Sequence, residues 1–133
     1  MSTRPITTPT TSAATMRRSA SAWARDLLPA RMTVETLGDD FDPGPDAFVD
    51  TAAAMACCDL ILTMDTSAAH LAGAIGARTW LALPQLADWR WLTEGRDSPW
   101  YPTMQIFRQT ERGDWRGVFG EMETALRGTL SPP

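Results

Sequence analysis

Lysine is absent from this chain of 133 residues, and its 12 basic residues are all arginines. The 16 acidic residues outnumber them, so the formal net charge is −4. Proteins that bind nucleic acids broadly use dense patches of Lys and Arg to contact phosphates. An acidic chain without such a cluster argues against this class, and we expect no nucleic-acid partner.

Cysteine and histidine are scarce as well. The two cysteines, Cys57 and Cys58, are adjacent, and the sole histidine is His70. Neighbouring cysteines rarely bond to each other, so a disulfide framework and a zinc site of four Cys and His ligands are both excluded. We expect two buried free thiols in a reducing cytoplasm, with no metal and no cofactor.

Long hydrophobic runs are also missing. Asp59 interrupts the best apolar stretch, which stays far below the roughly 20 residues of a membrane-spanning helix. The N-terminus has no apolar core of a signal peptide. With 133 residues, of which 44% are hydrophobic, the chain is long enough for one domain of modest size. We expect a cytoplasmic protein without a membrane span.

The first 46 residues hold no clear domain element. Residues 1–20 are rich in Ser, Thr, Ala and Pro with little to bury, and we expect them to be disordered; a transit peptide, a misassigned start and a broken reading frame are alternatives. Residues 21–31 predict a short helix that ends near Pro29. Residues 38–46 predict an acidic loop rich in turns, so the whole of 21–46 is poorly defined.

An alternation of helices and strands begins after this loop. Asp50 predicts an N-cap for a helix over 51–58. The apolar run over 59–64 is typical of a strand covered on both faces. A helix over 66–75 follows, and Gly76 is suited to end it in a left-handed conformation.

The remaining elements continue the same pattern. We predict strands over 78–83 and 104–107, and a final helix that Asp114 caps. The short crossover between the first two strands implies parallel, right-handed pairing. The fold class is therefore α/β, with a partial Rossmann-like parallel sheet. The final helix has apolar residues at spacings of three and four, namely Trp115, Val118, Phe119, Met122 and Leu126.

The turn between the first strand and its helix carries Asp65, Thr66, Ser67 and Ala68. Ligands of open α/β sheets bind at the carboxyl ends of strands, and free N–H groups at a helix N-terminus favour phosphate. We predict that the backbone N–H groups of Thr66, Ser67 and Ala68 hold a diphosphate. Asp65 is better suited to accept hydrogen bonds from sugar hydroxyls. The alternative is simple N-capping by Asp65 or Thr66, worth about 1 kcal/mol.

His70 lies three residues after Ser67, on the same face of the helix. It is placed to donate a hydrogen bond to a phosphate or to a sugar hydroxyl. The alternative is a structural hydrogen bond, which is the more common role of a single histidine on an apolar helix.

A tryptophan-rich loop follows the second strand. Gln85 stands just after that strand and should face the same crevice as Asp65, with Asp88 and Arg90 as further polar contacts. The tryptophans suit either a wall beside a bound sugar or base, or core packing and a cap on the sheet edge. The segment 97–102 is typical of a rigid structural turn.

Five segments carry a family resemblance. They are Asp50–Ala53, Asp59–Ala74, Asp88–Leu92, Asp97–Pro102 and Phe107–Gln109. In this order they resemble the C-terminal glycosyltransferase region of bacterial tetratricopeptide-repeat proteins, which is related to the heptosyltransferase family (glycosyltransferase family 9). The match covers about residues 47–127. The resemblance implies that residues 47–130 form part of the C-terminal lobe of a GT-B type glycosyltransferase.

The resemblance implies a nucleotide-diphospho-sugar donor. In such enzymes two Rossmann-like lobes face each other, the C-terminal lobe binds the donor, and the N-terminal lobe binds the acceptor and usually supplies the general base. No metal is needed for the diphosphate. By position, Asp65, Thr66, Ser67 and Ala68 match the donor-binding motif and His70 its histidine. Ser67 stands where heptosyltransferases often have glycine.

Several family parts have no counterpart in these 133 residues: the repeats, the N-terminal lobe and the first strands of the C-terminal lobe. No general base can be named. We therefore expect a glycosyltransferase by descent that does not catalyse transfer as an isolated chain. The alternative is a non-catalytic remnant or binding module, completed by a missing lobe or a partner chain. A sugar-nucleotide epimerase of similar lobe architecture is a lesser alternative.

Overall fold

The computed structural model describes Leu37 and residues 41–42, 44–46 and 48–130. The predicted disorder of 1–20 and the predicted helix in 21–31 lie outside these residues. The chain divides into two compact units, Met1–Pro43 and Gly44–Pro133. Only Leu37 and residues 41–42 of the first unit are described, and of the acidic loop residues 41–42 and 44–46 lie in bends and turns.

The second unit holds all of the regular structure described below. Its elements follow the chain in the order α1 (Val49–Ala56), β1 (Ile61–Met64), α2 (Ser67–Ala74), β2 (Thr79–Leu83), a 3-10 helix (Trp89–Trp91), β3 (Met104–Arg108) and α3 (Trp115–Leu130).

The three strands form one sheet in the order β1-β2-β3, and both pairings are parallel. Met64 lies opposite Ala82, and Leu83 lies opposite Arg108. The α/β class and the parallel sheet predicted from the sequence are confirmed. Because all three strands run in one direction, their carboxyl ends meet at a single edge.

Two apolar layers cover the sheet. Strand β2 is buried at every residue, since it lies between two strands and between two layers. Complete burial of a large apolar side chain stabilises a fold by about 1.5–3 kcal/mol, so these layers are the main source of stability. The layer on the α2 side contains Ala69, Leu81, Leu83, Trp91, Met104 and Ile106. The layer on the α3 side contains Trp80, Ala82, Phe107, Val118 and Met122.

The expectation that the strand in 59–64 is covered on both faces is wrong. In β1, half-buried and exposed residues alternate, and Leu62 and Met64 are exposed by 38% and 45%. Strand β1 pairs only with β2, so it forms one edge of the sheet among the described residues. A continuous apolar run in the sequence does not distinguish a covered strand from this exposed edge.

Helix α1 begins earlier than predicted. Phe48, in a left-handed conformation with φ 74°, is the N-cap residue, and its carbonyl accepts the N–H of Ala52. Asp50 is therefore not the N-cap but the second residue of the helix. Its carboxylate lies in the first turn, where the helix dipole favours negative charge.

The prediction of two buried thiols is also wrong. Cys57 is exposed, and Cys58 is half-buried with its thiol donating to the carbonyl of Ala54 at 3.2 Å. Both cysteines follow the last residue of α1, so the end of the helix leaves them at the surface.

Gly76 ends α2 as predicted. Its φ of 70° allows its N–H to donate to the carbonyl of Gly73 at 3.1 Å. The N–H of Ala77 donates to the carbonyl of Ala72 at 3.0 Å. This pair of bonds is a Schellman motif, which satisfies carbonyls that the helix end would otherwise leave free.

Asp114 caps α3, also as predicted. Its carboxylate accepts the N–H of Gly117 at 2.9 Å. The predicted apolar face is correct except at Phe119, which is 53% exposed and stacks on Trp115 instead of entering the core.

Candidate functional site

The carboxyl edge of the sheet brings most of the predicted site residues together. Asp65 follows β1, Gln85 follows β2, and Gln109 follows β3. Neighbouring strands lie about 4.8 Å apart, so these three loop starts are neighbours in space. An edge of this kind is where open α/β sheets bind ligands.

The N-terminus of α2 is uncapped by any side chain. Thr66 is the N-cap residue, with extended backbone (φ −145°, ψ 172°), and its hydroxyl makes no capping bond. The N–H of Ala69 bonds to the carbonyl of Thr66, whereas those of Ser67 and Ala68 have no acceptor among the described residues. Asp65 is exposed and does not cap the helix either. The simple capping role is therefore not observed.

This arrangement leaves backbone donors directed at solvent, at the positive end of the helix dipole. Thr66 and Ser67 are exposed and Ala68 is half-buried. Helix N-termini with free N–H groups attract anions, and phosphate in particular.

His70 belongs to a cluster of three rings. Its Nδ1 lies 3.1 Å from the hydroxyl of Tyr101, and its ring stacks on Trp91 with centroids 5.2 Å apart and planes 22° apart. Tyr101 meets the imidazole edge-on at 5.9 Å. The structural hydrogen bond considered for His70 is thus present. It occupies only one of the two ring nitrogens, and the imidazole is half-buried.

We expect Tyr101→Phe to lower the free energy of unfolding by about 1 kcal/mol, because it removes one side-chain hydrogen bond and keeps the ring. Urea denaturation followed by circular dichroism measures this change. A double-mutant cycle with His70→Ala isolates the bond, since the tyrosine change should cost nothing once the imidazole is gone. Equal losses in both backgrounds would show that the two side chains are not bonded in solution.

Asp88 is engaged with its own loop. Its carboxylate accepts the backbone N–H of Arg90 at 3.0 Å and pairs with the Arg90 guanidinium at 2.8 Å. The backbone hydrogen bond from Arg90 holds the pKa of Asp88 below its usual value, and the Arg90 side chain and the charge of His70 act in the same direction.

Gln85 bonds to the loop after β3. Its side-chain amide donates to the carbonyl of Thr110 at 2.9 Å, and its backbone N–H donates to Oε1 of Gln109 at 3.3 Å. The same Oε1 accepts the N–H of Gly113 at 3.1 Å. Gln109 is thus the residue that joins the ends of β2 and β3, and sequence reasoning assigned it no role.

Arg108 was also missed as a site residue. It is the last residue of β3, is half-buried, and donates from Nη2 to the backbone carbonyl of Trp91 at 2.9 Å. Burial lowers the pKa of its guanidinium. The sequence did offer one indication of this role, since Arg108 stands at the carboxyl end of the third predicted strand, just before the loop that follows it.

The tryptophans of the tryptophan-rich loop are divided between the core and the surface. Trp91 is fully buried, whereas Trp89 is 70% exposed and Trp100 is 57% exposed. Ser98 accepts the N–H groups of Trp100 and Tyr101, both at 3.3 Å, which makes the 97–102 segment the ordered turn that was predicted.

Two kinds of feature are absent from the described part of the chain. No group of three or more His, Cys, Asp or Glu side chains is placed to hold a metal ion there. Among the same residues, no helix combines the length and the apolar composition needed to cross a bilayer.

Comparisons with known proteins give one similarity. No protein-family model matches the chain, and no solved structure matches it. Over 79 residues the chain is 35% identical to Protein FlbA of Caulobacter vibrioides, a region that covers 59% of this chain and 13% of that protein. The chain therefore spans a small fraction of the length of this curated relative.

Proposed function

We propose that this chain binds a nucleotide-diphospho-sugar at the carboxyl edge of its sheet, with the diphosphate against the N-terminus of α2. The observation that carries the proposal is the uncapped first turn of α2, where the N–H groups of Ser67 and Ala68 have no acceptor among the described residues. Free donors at the positive end of a helix dipole suit a phosphate group. The resemblance of residues 47–127 to glycosyltransferases supplies the class of donor.

The surrounding side chains have separate roles in this proposal. Asp65 is exposed next to the turn and accepts hydrogen bonds from sugar hydroxyls, since a carboxylate would repel a phosphate. Tyr101 orients the imidazole of His70 through Nδ1, which leaves Nε2 for the ligand. Gln85 and Asp88 are placed to border the sugar or the base, although both are already bonded within the protein.

Glycosyl transfer itself is the proposed activity of the assembled protein, with this chain as its donor-binding part. An inverting transfer needs a base beside the acceptor hydroxyl. Under the proposal, the acceptor and that base come from a second lobe, either in a longer chain or in a partner, and the protein acts in the cytoplasm.

A binding module that does not catalyse transfer is the second candidate. The observation that favours it is that two side chains near the α2 turn that could act as a general base are already bonded within the protein. The imidazole of His70 bonds to Tyr101, and the carboxylate of Asp88 pairs with Arg90. Release of nucleoside diphosphate from a donor sugar, followed by mass spectrometry, separates transfer or hydrolysis from binding alone.

Ser67→Pro tests the binding proposal. Ser67 is the first residue of α2, where proline fits the helix and removes one N–H, and the extended backbone of Thr66 suits a residue before proline. We expect a nucleoside diphosphate to bind at least tenfold more weakly, because a hydrogen bond to a charged group is worth about 1.5–3 kcal/mol. Isothermal titration with UDP, GDP and ADP measures the affinity.

Ser67→Ala is the matched control, since it removes the hydroxyl and keeps the N–H. We expect it to retain most of the affinity, and both variants to melt at the temperature of the unmodified chain. If a folded Ser67→Pro chain binds as tightly as the Ser67→Ala chain, the α2 N-terminus is not the phosphate site. If the unmodified chain binds none of the three nucleotides, the proposed function is wrong.

A further inference from the structure

Arg108 is a half-buried cation that has no anionic partner in the described part of the chain. Among the described residues, no carboxylate lies within ion-pair distance of its guanidinium. The ion pairs that are present use Arg90, Arg96 and Arg127, all of them at the surface. Removing a charge from water is costly unless an opposite charge or hydrogen bonds replace the water. Arg108 is more buried than these three arginines, yet it has no carboxylate partner among the described residues.

The hydrogen bonds of Arg108 do not compensate for the missing counter-ion. Nη2 donates to the carbonyl of Trp91 at 2.9 Å, but Nε is buried without an acceptor. The indole N–H of Trp91 is likewise buried without an acceptor, and Trp91 is fully buried. More than nine-tenths of buried polar groups in proteins have a partner, so unpartnered donors on two residues that share a hydrogen bond require an explanation.

Arg108 lies on the same side of the sheet as α2. Side chains alternate along a strand, so Arg108 shares a face with Ile106 and Met104, which belong to the layer on the α2 side. Trp91 contacts both Arg108 and α2. Its ring stacks on His70 of α2, and its backbone carbonyl accepts a hydrogen bond from Arg108. Leu83, which is opposite Arg108, ends β2 and puts the arginine at the carboxyl edge.

We propose that Arg108 is the cationic contact of the ligand site, and that it binds a phosphate group. A guanidinium has five donors in a planar fork that matches the oxygens of phosphate, and one of its bonds to protein already fixes its position. The proposal rests on the proposed function, in that the phosphate belongs to the ligand at the α2 N-terminus. It adds a fixed positive charge, which the backbone donors lack.

The test compares Arg108→Gln with Arg127→Gln in the full chain. Arg127→Gln removes the same charge at a distant place. Arg127 lies about 18 Å along α3 from Trp115, the first residue of that helix, and the loop after β3 leads into the Trp115 end. Isothermal titration uses inorganic pyrophosphate and, separately, UDP, GDP and ADP. We expect Arg108→Gln to weaken pyrophosphate binding at least tenfold, Arg108→Lys to weaken it less, and Arg127→Gln to leave it unchanged.

A melt without phosphate gives a second measurement. An arginine kept for a ligand destabilises the free chain, so we expect Arg108→Met to melt no lower than the unmodified chain. If Arg108→Met melts lower and pyrophosphate affinity is unchanged in Arg108→Gln, the arginine is structural and the inference is wrong.

The outcomes also separate this inference from the proposed function. Nucleotide binding that survives Arg108→Gln and is lost in Ser67→Pro keeps the proposed function and overturns the role of Arg108. Pyrophosphate binding that depends on Arg108, without any nucleotide binding, supports the anion site and overturns the nucleotide-sugar. A chain that binds neither pyrophosphate nor a nucleotide overturns both.

Discussion

Trp91→Ala is expected to remove about 3–5 kcal/mol from the free energy of unfolding, as truncation of a buried tryptophan does elsewhere. Trp91 is fully buried, packs in the layer on the α2 side, and stacks on His70. Small domains are stable by about 5–15 kcal/mol in total, so this one change removes a large share. Equilibrium unfolding in urea, followed by far-ultraviolet circular dichroism, measures the loss.

Trp89→Ala is the matched control. It removes the same side chain from the same 3-10 helix, but Trp89 is 70% exposed and contacts Arg90 at the surface. We expect its effect to stay within about 0.5 kcal/mol. If the two variants lose equal stability, the loop does not pack on the sheet as described. The affinity of Trp91→Ala for phosphate should also fall, because Trp91 positions both His70 and Arg108.

Local patterns in the sequence predicted the order of the elements and the direction of the sheet. Gly76 and Asp114 act locally, each within one helix end, and both predictions are confirmed. Parallel pairing also follows from local information, because a short helical crossover between two strands leaves few alternatives.

Properties that depend on distant neighbours were not predictable in this way. The apolar run that contains Leu62 predicts burial, but exposure is decided by what covers the strand, and β1 is an edge. His70 and Tyr101 are 31 positions apart, so their hydrogen bond has no local signature. Arg108 resembles any arginine at a strand end until the structure shows that it is half-buried and has no counter-ion among the residues described.

Gly73 is the position where a single methyl group is expected to have the largest effect. A Cβ there would overlap Cγ and Cδ1 of the Tyr101 ring, closer than real Cβ atoms approach another heavy atom. The hydroxyl of Tyr101 bonds to His70, and the backbone N–H of Tyr101 bonds to the hydroxyl of Ser98. The ring between these two bonds therefore has little room to move. Overpacking of this kind costs about 1–3 kcal/mol.

The sign of this change makes it informative. Within a helix, replacing glycine by alanine normally stabilises by about 0.5–1 kcal/mol, and we expect that gain for Gly120→Ala in α3, where nothing lies within 4 Å of the added Cβ. We expect Gly73→Ala to destabilise instead, when both are measured by urea denaturation. In a Tyr101→Ala background the same change should become neutral or stabilising, since the obstacle is the ring. A stabilising Gly73→Ala in the unmodified chain would mean that Tyr101 does not rest on α2, and that its hydroxyl does not hold His70 beside the proposed phosphate site.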